Sequence, residues 1–310
     1  MEIPRSRAGA HSDRARDFVR RRWPAALLLF LAVSFAARAA DEPKSGSDGP
    51  PPAEKHRSGL PLLADEALAR GYELPLPFGL GLILTGIDDR QIDVSDVRIG
   101  FEGNAQSVSD YAVLGSSSNV FNSNVRFDTW ILPFLNVYAL VGYVHNESAT
   151  RLHVQVPGLL PGADDIVVDK AIDTSLDGYV GGLGMTLAAG YKSLFVVADY
   201  NYSRADLGFD DNFTAKIGSI RAGWQGKLKG RGLQVWLGAG NWDTAATAKG
   251  HMDLDDGRRV VFEADQHPHT EWMYELGSNY MLDKHWQLFA DFAADFNGGY
   301  ALILGPTWRF

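Results

Sequence analysis

The chain has 310 residues, of which 45% are hydrophobic and 22% charged, and its net charge is −9 at pH 7. Residues 1–40 hold eight Arg against Glu2, Asp13 and Asp17, so the rest of the chain carries −9 − 5 = −14. A chain this acidic argues against nucleic acid as a partner. There is no cysteine, which excludes disulfides and a lipid-modified cysteine.

The first forty residues are predicted to be a signal peptide. Five Arg between residues 14 and 22 precede the apolar stretch PAALLLFLAVSFA (24–36), and Ala37-Arg38-Ala39 gives a small-x-small cleavage pattern. The apolar stretch is shorter than the roughly 20 residues that a transmembrane helix needs. We therefore expect an exported protein, and a retained membrane anchor is the alternative.

Residues 41–75 are predicted to be a disordered periplasmic linker. Residues 41–60 combine Pro, Gly, Ser and mixed charge, a composition that buries too little apolar surface to become ordered. Within this linker, the sequence LLADEALARG (62–71) is compatible with a short helix that ends at Gly71.

From residue 76 onward, apolar residues alternate with small or polar ones, which is the periodicity of β-strands. Sheets that face two different solvents show this pattern, whether in a soluble protein or in a membrane barrel. Faces rich in Gly, Ala, Ser and Asn would pack poorly in a sandwich core and suit a polar barrel lumen. The ten segments with this pattern are 78–88, 121–131, 136–145, 179–191, 194–204, 213–226, 233–242, 270–281, 285–295 and 300–310.

Aromatic residues near the segment ends favour the membrane alternative, since such barrels carry aromatic girdles at both interfaces. These residues are Trp130, Tyr191, Trp272, Tyr280, Trp286, Tyr300 and Trp308. The sequence thus predicts an all-β fold: an antiparallel, up-and-down transmembrane β-barrel of ten strands over residues 76–310, in the outer membrane of a Gram-negative bacterium. The strand-like segment VSDVRIGF (94–101) leaves twelve strands as the alternative.

Connections of two lengths alternate along the chain, as periplasmic turns and extracellular loops do in such barrels. The short ones are 132–135, 190–193, 227–232 and 282–285, and the long ones are 89–118, 146–174 and 244–269. The long connections contain hairpin signals of their own. We expect 151–156 to pair with 166–171, and a tight turn at Asp256-Gly257.

The segment DTWILPFLN (128–136), the entry LPLPFGLGL (74–82) and the closing PTWRF (306–310) resemble a group of uncharacterised Gram-negative outer-membrane β-barrel proteins. The resemblance covers most of the barrel and implies its fold and location. The group brings no established activity to this chain. Trp308 and Phe310 resemble the C-terminal aromatic signal that such barrels present to the outer-membrane assembly machinery.

Charged residues on the polar face are predicted to line the lumen and to form ion pairs there. The candidates are Arg126, Asp128, Asp199, Lys216, Arg221, Glu271, Glu275, Asp291, Asp295 and Arg309. No catalytic, cofactor or metal site is predicted. His267 and His269 are interpreted as solvent-exposed loop residues, and DLDDG (253–257) as an acidic hairpin without the Glu that an EF-hand loop requires.

Two functions fit these features, and the sequence does not choose between them. The polar lumen suits a narrow channel for small polar solutes or ions, although ten strands leave only a thin path. The long connections suit a surface-display or envelope-interaction protein that binds an extracellular ligand. A surface hydrolase is a third option, but the protein is predicted not to be an enzyme. In each case we expect outer-membrane lipid and the assembly machinery as partners.

Overall fold

The computed structural model describes residues 59–101, 104–107, 112–156, 166–207, 212–253 and 259–310. The predicted signal peptide, most of the predicted linker and the Asp256-Gly257 turn lie outside these residues. A single-turn helix, α1 (Ala64–Ala69), lies within the segment 62–71. No helix in the described ranges is long and apolar enough to cross a membrane.

The rest of the described chain is almost entirely strand. The strands are β1 (Phe78–Phe101), β2 (Asn104–Ser107), β3 (Ala112–Leu132), β4 (Leu135–Val156), β5 (Ile166–Tyr191), β6 (Leu194–Asp206), β7 (Asn212–Leu228), β8 (Arg231–Asp253), β9 (Arg259–Pro268), β10 (Trp272–Met281), β11 (Trp286–Ala294) and β12 (Tyr300–Arg309).

Ten of these strands form a closed antiparallel barrel, which confirms the predicted fold. Its order is β1, β3 to β8, then β10 to β12, and the last strand pairs with the first from Gly79↔Arg309 to Asp88↔Tyr300. The two further strands, β2 and β9, pair with the outer half of β1. The segment 94–101 is therefore a continuation of β1, and the alternative of twelve barrel strands is wrong.

Several strands are much longer than a membrane crossing requires. A tilted strand crosses with about 9–11 residues, the length of β10 to β12, whereas β1, β4 and β5 have 24, 22 and 26 residues. β4 and β5 pair without a break from Leu135↔Leu187 to Val156↔Ile166, which confirms the predicted pairing of 151–156 with 166–171.

The predicted long loops are thus largely sheet, because strand pairing satisfies the backbone groups that a loop would leave to water. We call the parts of β1, β3, β4, β5 and β8 beyond the membrane-crossing length, together with β2 and β9, the sheet extension.

Tight turns join the strands at the opposite end of the barrel. Lys192 and Lys229 adopt positive φ angles of 55° and 51° in two of these turns, as short hairpins require. In the turn between β10 and β11, the Asp283 carboxylate accepts hydrogen bonds from the backbone N–H groups of His285 (2.7 Å) and Trp286 (2.8 Å). These bonds lower the pKa of Asp283 below its usual value.

The outward face of the barrel is an apolar band. Its most exposed aliphatic side chains are 63–68% exposed: Val141, Leu183, Leu194, Ile220 and Leu237. A soluble protein rarely leaves such a large apolar surface uncovered. The prediction that Trp130 belongs to an aromatic girdle is wrong. Trp130 shares the inward parity of Asp128, and its indole Nε1 is buried.

Candidate functional site

The barrel lumen brings together eight of the ten charged residues predicted to line it. They are Arg126, Asp128, Asp199, Arg221, Glu275, Asp291, Asp295 and Arg309, on the inward-facing positions of β3, β6, β7 and β10 to β12 or just past a strand end. Together with uncharged neighbours they form three layers, which we call lower, middle and upper, starting from the end with the tight turns.

The lower layer is organised around the buried carboxylate of Asp128. It accepts hydrogen bonds from Asn136 Nδ2 at 2.7 Å and from Arg309 Nη2 at 3.1 Å, and Arg126 Nε lies 3.8 Å away. Gly79 is its register partner on β1, and a Cβ at Gly79 would overlap the carboxylate. Asp128 therefore links β3 and β4 to the last strand across a glycine of the first strand.

An aromatic ring connects the lower layer to β5 and β6. The Arg126 guanidinium lies 3.7 Å from the centre of the Tyr138 ring, a close cation–π contact. The Tyr138 hydroxyl donates to Asp199 Oδ1 at 2.9 Å, and Thr186 Oγ1 donates to Asp199 Oδ2 at 2.5 Å. The ring lies over Gly184 of β5, where a Cβ would overlap it.

This overlap gives a prediction about two glycines of the same strand. Gly184→Ala is expected to destabilise the barrel by about 1–3 kcal/mol because the Tyr138 ring must leave its position. Gly181→Ala is the matched control: Gly181 faces outward, nothing lies within 4 Å of its Cβ position, and the change should be neutral or slightly stabilising. Equilibrium urea unfolding in lipid vesicles measures both. Equal effects would contradict the proposed contact.

The middle layer contains a guanidinium between two carboxylates. Arg221 Nε donates to Glu275 Oε2 at 2.6 Å, and Arg221 Nη2 lies 3.4 Å from Asp291 Oδ2. Glu275 is 3% exposed and Asp291 is fully buried. The rings of Trp236 and Phe289 stack at 5.4 Å, and the guanidinium lies 5.9 Å from each ring centre.

The upper layer is mainly apolar. Arg90 Nη2 donates to the Trp242 carbonyl oxygen at 3.0 Å, and Asp295 accepts from the backbone N–H groups of Asn297 and Gly299. Two buried apolar clusters also lie in the lumen. One contains Trp242, Met273, Ala293 and Ala301, and the other contains Val144, Val180 and Ala205.

Buried side chains lie in the lumen at each of these levels. In a wide water-filled pore, the inward side chains would be exposed to solvent, but Met273, Asp291, Ala293 and Ala301, on the inward face of β10 to β12, are completely buried. A barrel of about eight strands is filled by its side chains, and the large inward residues of this ten-stranded barrel cover these four. Water therefore does not reach them.

Two predicted lumen residues lie elsewhere. Lys216 shares the outward parity of Ile220, is 53% exposed, and pairs with Asp243 at 3.3 Å. Lys216 and Arg221 are an odd number of positions apart on β7. Because side chains alternate between the two faces of a strand, an inward Arg221 requires an outward Lys216. Glu271 lies just before β10, where it is exposed and accepts a hydrogen bond from Asn241 Nδ2 at 2.7 Å.

Four residues that were not predicted from the sequence also shape the lumen: Arg90, Asn136, Tyr138 and Trp242. Arg90 has the outward parity of β1, but a bulge between Ile87 and Arg90, with Asp89 at φ 51°, turns its side chain inward. Asn136 and Tyr138 belong to a segment with apolar residues of both parities, so alternation could not orient it. Gly184, the register partner of Tyr138, was the one sequence feature that could have indicated the inward orientation of Tyr138.

The two histidines interpreted as loop residues lie at the outer end of the barrel. His267 belongs to β9, and its register partner is Asp93 of β1. His269 Nδ1 lies 3.0 Å from Asp93 Oδ1. Among the residues that the structure describes, no three His, Cys, Asp or Glu side chains are grouped so as to hold a metal ion.

No family model matches the sequence, and no curated protein is significantly similar to it. Solved structures of similar fold include the outer membrane protein OprG from Pseudomonas aeruginosa, with 12% identity over 76% of this chain and 98% of that one, and a TM-score of 0.38. The transport unit of the autotransporter AIDA-I from Escherichia coli has 13% identity over 76% and 90% of the two chains (TM-score 0.37). The toluene transporter TodX from Pseudomonas putida has 11% identity over 76% and 91% (TM-score 0.27). Likenesses this distant concern the fold alone.

Proposed function

Because the chain is an outer-membrane β-barrel with completely buried side chains in its lumen, we propose that it is an anchor that presents the sheet extension at the cell surface. There the extension contacts an extracellular or envelope partner. The complete burial of Met273, Asp291, Ala293 and Ala301, on the inward face of β10 to β12, carries this proposal. A barrel that passes solutes needs water beside these side chains, whereas a barrel that only anchors does not.

The sheet extension supports the same function. β4 and β5 continue as a paired ribbon from Glu147↔Ser175 to Val156↔Ile166, and β9 lies between the outer parts of β8 and β1. A hydrogen-bonded sheet holds its shape, so it can offer a partner a preformed surface at a low cost in conformational entropy. Flexible loops of the same length would have to be ordered on binding.

Recording from the purified, refolded protein in planar bilayers tests the closed lumen. We expect no conductance steps over a wide voltage range, because the buried layers exclude water and ions. A second arm uses a variant in which residues 148–174 are replaced by Asn-Gly, which joins the register partners Glu147 and Ser175 through a two-residue hairpin turn.

This shortened variant should fold, as shown by heat-dependent migration in gels, because the membrane-crossing part is intact. We expect bacteria that produce the full-length protein to adhere or aggregate, and bacteria that produce the variant to lose this property. Steady conductance from the unmodified protein would overturn the anchor proposal. So would adhesion that is unchanged by the shortening, provided that the variant reaches the surface.

A narrow, gated channel is the second candidate. The charged side chains in the lumen favour it, since groups such as Arg126, Asp199 and Arg221 could bind ions or polar solutes as they pass. In this alternative, the apolar clusters of the upper layer act as a hydrophobic gate. Conductance that appears only after a trigger, such as high voltage, would favour it over the anchor.

The C-terminal aromatic pair fits the proposed contact with the assembly machinery. Trp308 and Phe310 stack with ring centres 4.6 Å apart, and both are partly exposed on the outward side. Phe310 also exchanges backbone hydrogen bonds with Phe78, where the barrel closes. The absence of enzymatic activity and the resemblance to uncharacterised outer-membrane barrels remain predictions.

A further inference from the structure

The middle layer contains more negative than positive charge. Among the described residues, Arg221 is the one guanidinium that contacts Glu275 and Asp291, so the three groups sum to −1 when all are ionised. Both carboxylates are almost completely buried. In the same part of the chain, no donor lies within hydrogen-bonding geometry of either oxygen of Asp291 or of Glu275 Oε1.

The other charged groups of the lumen do not correct this imbalance. Inward-facing Arg90, Arg126, Arg221 and Arg309 give +4, whereas Asp128, Asp199, Glu275, Asp291 and Asp295 give −5, so these groups sum to −1. Arg126 and Arg309 contact Asp128, in the lower layer. Arg90 bonds to the carbonyl oxygens of Trp242 and Thr270, in the upper layer. The surplus negative charge therefore lies in the middle layer.

Asp199 differs from this pair in its hydrogen bonds. It accepts bonds from the hydroxyl groups of Tyr138 and Thr186, one on each oxygen. Asp291 has no such donors. Glu275 has only the Arg221 bond, on Oε2. A buried carboxylate without hydrogen bonds is costly, and such a group usually takes up a proton.

The register places the two carboxylates close enough to act together. Gly277 is opposite Asp291 and Glu275 is opposite Ala293, so Glu275 and Asp291 are diagonal neighbours on the inward face of β10 and β11. Diagonal positions on paired strands lie within reach of long side chains. Two carboxylates that share a dry site cannot both ionise easily, and they titrate as a pair.

We propose that the Glu275 and Asp291 pair is a proton-binding site that holds one proton at neutral pH, while Arg221 balances the remaining carboxylate. The proton is taken from water by one carboxylate, which becomes a carboxylic acid. A metal cation fits less well, because the Arg221 guanidinium already occupies the space between the carboxylates and would repel it. The pair can bind a proton whether the barrel only anchors the sheet extension or also conducts solutes.

Infrared spectroscopy of the refolded full-length protein in deuterated detergent buffer tests the proposal. At pH 7 we expect a carbonyl band from one protonated carboxyl group, although exposed carboxyl groups are ionised at this pH. Asp291→Asn and Glu275→Gln should each remove this band, because the single remaining carboxylate pairs with Arg221 and ionises. Raising the pH should also remove it.

Asp295→Asn is the control, since Asp295 accepts backbone hydrogen bonds in the upper layer and its substitution should leave the band unchanged. The charged groups nearest to the pair on other strands are Arg221 on β7, which contacts both carboxylates, and Asp199 on β6, which interacts with Arg221. A spectrum without the band at pH 7 would overturn the proposal. A thermal stability that rises with sodium or potassium, again without the band, would assign the site to a metal cation instead.

Discussion

Replacing Arg221 by alanine is expected to destabilise the folded barrel by about 3–5 kcal/mol, as removal of one partner does in other buried ion pairs. The substitution leaves Glu275 and Asp291 in a water-free lumen without their only guanidinium contact. It also removes the cation that lies beside the Trp236 and Phe289 rings. Equilibrium urea unfolding in lipid vesicles, followed by tryptophan fluorescence, measures the loss.

The matched control lies on the same strand. Lys216 also pairs with a carboxylate, that of Asp243, but both side chains are exposed on the outward face. Lys216→Ala should therefore change the free energy of unfolding by no more than about 1 kcal/mol.

A triple variant, Arg221→Met with Glu275→Gln and Asp291→Asn, should recover most of the stability, because it removes the buried charges together. If Arg221→Ala lost no more than Lys216→Ala, the middle layer would not be a buried charge network.

The barrel could be predicted from the sequence because alternation has only two phases. Once Leu80 or Leu237 is assigned to the lipid-facing side, the orientation of every second residue of that strand is fixed. An even number of strands then allows the last strand to pair antiparallel with the first. The same rule corrects Lys216, which has the parity of Ile220 and not of Arg221. The position of Lys216 in its strand, and not its charge, decides which face it occupies.

Other features depend on local geometry that alternation does not encode. The bulge after Ile87 reverses the parity of β1 and places Arg90 in the lumen, although the sequence DDRQ (88–91) carries no clear bulge signal. Tyr138 faces inward because Gly184 leaves room for its ring, and that contact depends on the register between β4 and β5. Both are tertiary effects, which become visible only when strands are paired.

The sheet extension was only partly predictable. The hairpin signals in 151–171 indicated local pairing, but they did not show that β4 and β5 continue from the barrel without a break. The filled state of the lumen could not be predicted either. It depends on how far Trp236, Trp242 and Met273 reach across the barrel, and thus on side-chain packing rather than on strand parity.

Replacing Asp128 by alanine is the second change with a large expected effect, and it concerns the point where the barrel closes. Asp128 is the carboxylate that Arg126 and Arg309 share, and it also accepts a hydrogen bond from Asn136. Its loss leaves the two guanidinium groups without the carboxylate that they share. We expect a loss of about 3–5 kcal/mol in the free energy of unfolding. Asp243→Ala, on the exposed outward pair, is the control and should cost no more than about 1 kcal/mol.

A double-mutant cycle between Gly79 and Asp128 separates the charge of Asp128 from its packing where the first and last strands meet. Gly79→Ala alone should destabilise the barrel, because the new Cβ overlaps the Asp128 carboxylate. In the Asp128→Ala background that overlap is absent, so the same substitution should cost little. The two effects should then be non-additive by at least about 0.5 kcal/mol. Additive effects would mean that Asp128 does not lie over Gly79, and that the contact between the first and last strands does not depend on this carboxylate.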